Sequence, residues 1–565
     1  MAHTSEMAPR RRLLLRPPSI AGLTGAAIGY AAALTPSLLP HQLMFLLLLT
    51  SLGALSGYAI GTTLAWAVGK IPALRRMRPP RAVLIAVPLA VWFAALAFTP
   101  VAVTWQAEQQ TALDMPAALP STVTAVVMTA VISTALLMVA RLVRIGTNKL
   151  AALLVRVRPL SAWVHDQQPS RRHRAIATAR LGVALVLVVV GIGAVRFAVG
   201  ALIGSYDTLN ADASGQSPGD LGRNSGSAGS GTPWETLGRE GRFYVANTMT
   251  PAGIEGITRR PAQTPVRLYV GMQQGDSPEA RTALALAELD RVDAWDRDYL
   301  VVYAVTGTGW VNPDGINSLE TVTGGDVTTV AVQYSAVPSW IGFLIDQATT
   351  QEQNRDTIRA VVEAWRQQPA DARPELVLFG ESLGAFGSQA AWDESATPED
   401  VTRDIGKVVW IGPPAESRLW GRWQADRSGG PAWQPVIGDG SVARVYISQP
   451  ELDAAPAASG PAITFVAHPN DPVVYWSPSI LLEKPDWLDR PLGPGVPTQM
   501  TWFPIISYLQ VGMDLVSGGE PPEVGHNYTA GIGPAVAMTI APNGWTGADT
   551  DRLQAALPGL RYVTG

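Results

Sequence analysis

The pentapeptide Gly380-Glu381-Ser382-Leu383-Gly384 matches Gly-x-Ser-x-Gly, the spacing of a tight strand-to-helix turn that presents a serine hydroxyl at the end of a sheet. Its two glycines have a steric purpose, because a serine in a strained backbone leaves no room for side chains two positions either side. In a chain with 54 glycines the pattern alone is weak, and a second copy stands at Gly215-Gln216-Ser217-Pro218-Gly219. Context separates them. Ser217 has no strand before it and a proline after it, whereas Ser382 follows the apolar run Glu375–Phe379 and precedes residues at helical spacing. Ser382 is the candidate nucleophile, against the plainer reading of an ordinary turn.

A serine hydroxyl attacks poorly unless an imidazole takes its proton. Of the six histidines only His468 and His526 lie in the second half of the chain. The order Ser, acid, His that accompanies such a turn selects His526, in Gly525-His526-Asn527-Tyr528, as the base. A surface position is its alternative, and His468 reads as structural or substrate-facing. Asp471, in His468-Pro469-Asn470-Asp471-Pro472 just beyond an apolar strand, is the natural acid to hold the imidazole in its useful tautomer. If Asp471 only shapes a turn, Asp453 or Asp514 would substitute. A tetrahedral oxyanion needs two backbone N–H donors. Leu383 supplies one, and the loop Thr306-Gly307-Thr308-Gly309-Trp310 supplies the other through Thr308 or Gly309.

These residues must be positioned by a fold, and 565 residues make at least two packed units. No cysteine is present, which excludes disulfides, thiolate metal sites and a cysteine nucleophile; no metal or cofactor is expected. Apolar residues are 47% and charged residues 16%, a low charge content that places part of the chain out of water. The net charge of -4 hides a division: residues 1–204 carry 19 Lys and Arg against 4 Asp and Glu, and residues 205–565 carry 23 against 42. The acidic second half argues against a nucleic-acid partner.

Five apolar runs, near 20–34, 43–68, 82–103, 123–140 and 181–203, predict a helical transmembrane bundle over residues 1–204, the first run being the most marginal. Arg10, Arg11, Arg12 and Arg16, the cluster from Lys70 to Arg81, and nine Lys and Arg between 141 and 180 fall in alternate connections, while 35–42 and 104–122 have none. Basic loops stay in the cytoplasm. The expectation is a multi-pass plasma-membrane protein with its N-terminus inside and everything beyond residue 205 outside, whether or not the first run is a cleaved signal. No Asp, Glu or His lies inside a run, which speaks against transport. Gly25 and Gly29 with Gly53, Gly57 and Gly61 read as close helix packing.

Residues 205–238 are rich in Gly, Ser, Asp and Asn and read as a flexible linker. Beyond it seven strands, 267–272, 299–305, 327–334, 375–379, 407–411, 443–448 and 463–466, alternate with helices, as in a three-layer α/β domain with a mainly parallel sheet over 239–545 and a C-terminal tail over 546–565. Sites in such sheets lie at the carboxyl ends of the strands.

On Thr306–Val311, Tyr334-Ser335, Pro338-Ser339-Trp340, Gly380–Gly384, His468–Asp471 and Gly525–Tyr528 the chain resembles the actinobacterial membrane-anchored α/β-hydrolase family, over nearly its whole length. The resemblance implies an α/β-hydrolase fold and a Ser382, Asp471, His526 triad, without a substrate. Tryptophans crowd the segments after 411 and before His526, where such folds insert caps, and aromatic caps suit apolar ligands. The expected function is a membrane-anchored, extracytoplasmic serine esterase, lipase or acyltransferase acting on acyl esters of envelope lipids, with the lipid bilayer as partner. The alternative is a catalytically silent membrane protein that binds an envelope component or a protein.

Overall fold

The computed structural model describes residues 18–71, 80–115, 121–154, 169–214, 216–455, 460–516 and 520–561. Arg10–Arg12, Arg16, Arg75, Arg76, Arg78, Arg156 and Arg158, which contribute to the orientation argument, lie outside these residues, as does the end of the tail, 562–565.

Long apolar runs that satisfy their own backbone hydrogen bonds do so as helices. The first part accordingly forms α1 (Ile20–Ala33), α2 (Leu43–Val68), α3 (Arg81–Ala112), α4 (Thr122–Leu154) and α5 (Pro169–Ala211). Four of them, α2 to α5, are long and apolar enough to cross a membrane. The run expected as a fifth crossing falls short. α1 has 14 residues, about 21 Å at about 1.5 Å each against a hydrocarbon core of about 30 Å. It packs backbone to backbone on α2: a Cβ built on Gly25 would lie 2.1 Å from Gly57 O, and one on Gly29 2.1 Å from Gly53 O. The four-residue glycine spacing is therefore a helix contact that any side chain would force apart.

All seven predicted strands form, within a few residues of their expected ends: β1 (Val266–Val270), β2 (Tyr299–Ala304), β3 (Val327–Val332), β4 (Glu375–Glu381), β5 (Lys407–Ile411), β6 (Ala443–Tyr446) and β7 (Ile463–Val466). They make one parallel sheet in the order β1-β3-β2-β4-β5-β7-β6. Successive side chains go to opposite cores. Leu268, Leu300, Val302 and Leu378 pack with the helices Pro278–Arg291 and Gln347–Gln367, and Tyr269, Val301, Tyr303 and Phe379 with Pro313–Val322 and Ile532–Ile540. Burial on both faces explains why these strands read as continuous apolar runs.

The linker expected over 205–238 is corrected by the structure. α5 continues to Ala211, and Asn224 and Ser225 lie along the open edge of β1. Ser225 N–H donates to Arg267 O at 3.1 Å, Asn224 Oδ1 accepts from Arg267 N–H at 2.9 Å, and Ser225 Oγ accepts from Tyr269 N–H at 2.9 Å. A composition poor in apolar residues suggested a tether, but its polar groups are spent on a sheet edge that would otherwise be unpaired. The tail expected from 546 is likewise part of the domain: Thr546 and Asp549 form a capping box, and the helix Gly547–Leu560 buries Leu553 and Leu557.

The two parts meet in a buried seam. The α1–α2 connection, 34–42, inserts between the end of α3 and the helix Ile506–Asp514 of the α/β part. Ser37 Oγ donates to Asp514 Oδ2 at 2.5 Å, His41 Nε2 lies 3.1 Å from Asp514 Oδ1, and Gln510 Nε2 donates to Thr35 O at 2.7 Å. From α3, Gln109 Nε2 donates to Ser37 O and Leu38 O at 3.0 and 3.1 Å. Leu38 is fully buried and joins the core that includes β1, β2 and β4.

Candidate active site

β4 ends at Glu381 and the helix Leu383–Ser388 begins two residues later, so Ser382 occupies the turn alone, at φ 53° and ψ −120°. A non-glycine residue held there costs about 1–3 kcal/mol and persists only where its surroundings enforce it. Two contacts do so: Ser382 N–H donates to Ile411 O at the end of β5, 2.8 Å away, and the turn presses on β2. A Cβ on Gly384 would lie 2.0 Å from Ala304 O, which is why the position is glycine.

His526 is brought to this turn from 144 positions away by the loop that precedes Ile532–Ile540. Its ring lies against the chain just beyond β5, where a Cβ on Gly412 would come within 2.6 Å of His526 Cε1. His526 Nδ1 is 2.7 Å from Asp471 Oδ2. Asp471 follows β7, is fully buried, and accepts two more hydrogen bonds, from Tyr528 Oη to Oδ2 at 2.6 Å and from Val473 N–H to Oδ1 at 2.8 Å. These contacts fix Nδ1 as the protonated ring nitrogen and leave Nε2 as the acceptor. Nε2 is buried and has no partner. Ser382, Leu383 and His526 line one cavity of about 360 Å³, walled otherwise by apolar side chains such as Phe343, Leu344, Val473 and Trp476. The Ser382 Oγ to His526 Nε2 hydrogen bond is open in this structure; such bonds commonly close when substrate binds.

Burial opposes a charge on His526, but the Asp471 carboxylate against it, with Glu381 and Glu520 nearby, outweighs burial and holds its pKa above the ordinary 6.5. Burial would raise Asp471, yet His526, Tyr528 and the Val473 N–H together hold it below the usual carboxylate value. Glu381 is raised by burial, with Asn312 Nδ2 donating to it at 2.8 Å. A general base must be neutral to accept a proton, so a raised pKa moves the active range upward. For a soluble ester, kcat/KM is expected to fall as the pH drops through a midpoint above 6.5. A midpoint at or below that value, in a profile from about pH 5 to about pH 9, would contradict the assignment of His526.

Of the residues expected to supply oxyanion donors, one lines the cavity. Leu383 opens a helix, so its N–H has no intrahelical acceptor, and the residue lines the cavity. Thr308 and Gly309 do not line it. Gly309 N–H already donates to Thr306 O at 2.9 Å, and Thr308 O accepts from Gln333 Nε2 at 2.8 Å, which turns both toward β1 and β3. The loop reaches the cavity wall instead through Gly307, whose N–H donates to Ser339 Oγ at 3.1 Å. Of the substitute acids, Asp514 belongs to the seam with Ser37 and His41, and Asp453 accepts from Gln449. His468 does not line the cavity: its ring stacks on Tyr528 at 4.0 Å between centroids, and Nδ1 contacts Gly525 O at 2.9 Å.

A family model described as "Alpha/beta-hydrolase family" matches residues 266–553, and one described as "Alpha/beta-hydrolase family N-terminus" matches 34–248. The chain belongs to this alpha/beta-hydrolase family. The N-terminal match runs past the expected linker to residue 248, and the chain packs on β1 as far as Tyr244, whose O accepts from Arg267 Nη1 at 2.8 Å. No curated protein and no solved structure matches the chain. Sequence reasoning passed over Tyr528, which orients Asp471, and Glu381 with its Asn312 partner. Tyr528 had a signal, since it sits two residues after the candidate base in a loop that must reach the acid.

Proposed function

We propose that this protein is a serine hydrolase or acyltransferase of acyl esters, working on lipids of the cell envelope from the outer face of the plasma membrane. The observation that carries the reading is that Ser382 and an Asp471-bound His526 line the same apolar cavity. Ser382 Oγ attacks the ester carbonyl and gives its proton to His526 Nε2. Charge developing on the carbonyl oxygen is met by Leu383 N–H. The alcohol leaves with the proton from His526, the acyl group stays on Ser382 Oγ, and water or another hydroxyl repeats the sequence in reverse. The acyl-ester preference is supported by the cavity walls. Trp340, Leu344 and Val516 line it and remain substantially exposed, an apolar rim suited to a lipid surface. The outward orientation is supported by the alternation of basic and uncharged connections.

A charged fluorophosphonate that does not cross bilayers tests both parts. It is expected to label wild type in sealed right-side-out vesicles and to leave Ser382→Ala unlabelled. Labelling only after detergent opening would reverse the orientation. Absence of Ser382-dependent labelling in folded protein would favour the silent binder, a reading that the open Ser382–His526 hydrogen bond also permits.

A further inference from the structure

A crevice of about 910 Å³ lies between α1, α2 and the start of α3 and is bordered at one end by Phe503, Pro504, Ile505 and Ile506. Its origin is the glycine contact. Because α1 and α2 touch along Gly25, Gly29, Gly53 and Gly57, the larger side chains beside that seam flank a channel and do not fill it. Ile28, Ile60, Leu64 and Val87 line it, each between 45% and 60% exposed. Since α2 and α3 are membrane-crossing by length and composition, the crevice opens at hydrocarbon depth, where the medium is acyl chains.

Two features make it more than a gap filled by solvent lipid. It follows α1 from Ser19 to Ala32, about 20 Å at about 1.5 Å per residue, which exceeds the roughly 15 Å depth of one leaflet's hydrocarbon. That shape takes one extended chain. One helix also links that end of the crevice to the catalytic cavity's wall. Ile506 begins the helix Ile506–Asp514, and Gly512, Leu515 and Val516 at the other end of that helix line the cavity of Ser382. We infer that the crevice binds one acyl chain of a bilayer lipid and directs its ester end along this helix toward Ser382. The inference rests on the proposed esterase reading and deepens it: the substrate is drawn laterally from the membrane and not from water.

The test uses the full chain in lipid nanodiscs doped with a phospholipid carrying a diazirine in mid-chain. After irradiation, adducts are expected to concentrate on α1, α2 and Phe503–Ile506, and to be lost in the double variant Ile28→Trp/Leu64→Trp. Adducts spread equally over the bare face of α5, or undiminished in the variant, would overturn the site. In parallel, kcat/KM for a long-chain lipid ester is expected to fall at least tenfold in the variant relative to that for a soluble acetate ester. An equal fall in both would count against the lipid route. If wild type shows no Ser382-dependent labelling, the esterase reading fails by itself, and the adduct map still decides whether the crevice holds a lipid chain.

Discussion

Replacing Asp471 by Asn is expected to lower kcat by about 10³- to 10⁴-fold with little change in KM. The reason is the direction of one proton. Asp471 Oδ2 receives the His526 Nδ1 proton at 2.7 Å and the Tyr528 phenol at 2.6 Å, and the whole carboxylate is buried. An amide is nearly isosteric, but its NH₂ can force His526 into the other tautomer, with the proton on Nε2 where Ser382 needs an acceptor. It also removes the negative charge that keeps His526 above 6.5, so the residual activity should show a lower pH midpoint than wild type. Steady-state kinetics on a soluble ester, with Tyr528→Phe as a milder companion, measure this. Asp471→Asn with near wild-type kcat would show that another carboxylate serves His526 and would remove the triad as described.

The second large effect is expected at a residue remote from the chemistry. Asp514→Ala leaves Ser37 Oγ and His41 Nε2 in a buried seam without their carboxylate partner. Orphaning the buried Ser37 Oγ costs about 1–3 kcal/mol, while His41 Nε2 keeps its contact with Gln510 O at 3.4 Å. The variant should melt several degrees lower in detergent or nanodiscs. It should also react more slowly with a fluorophosphonate, because the residues that follow Asp514 form part of the cavity wall. The double variant Ser37→Ala/Asp514→Ala should lose less than the sum of the single losses, since both remove the same hydrogen bond. An unchanged melting temperature would mean that the seam does not hold the two parts together.

What could be read before the fold was known follows from where the information resides. Strands buried on both faces declare themselves by composition, so β5 and β7 have the ends that were expected. That Ser382, Asp471 and His526 come together around one cavity was legible because a tight turn, a loop after a strand and a late histidine each leave a local pattern. The orientation of the loop Thr306–Trp310 was not, because it is set by Gln333 and Ser339, which are distant in sequence. The segment around Asn224 and Ser225 was misread for a related reason. Small polar residues look alike whether their hydrogen bonds go to water or to the edge of β1. Nor could composition reveal that the uncharged connection 34–42 is a wedge; its partners, Gln510 and Asp514, are recognisable only in three dimensions.

That wedge also orders events during synthesis. Ser37 and Asp514 are separated by 477 positions, so the ribosome finishes the first of them long before the second exists. Closing so wide a loop is slow, and its entropy is lost before the contact rewards it. The connection between α1 and α2 is made first, and the helix Ile506–Asp514, near the end of the chain, docks on a segment that already exists. The cavity wall formed by Leu515 and Val516, which directly follow Asp514, is thereby among the last parts of the chain to be seated.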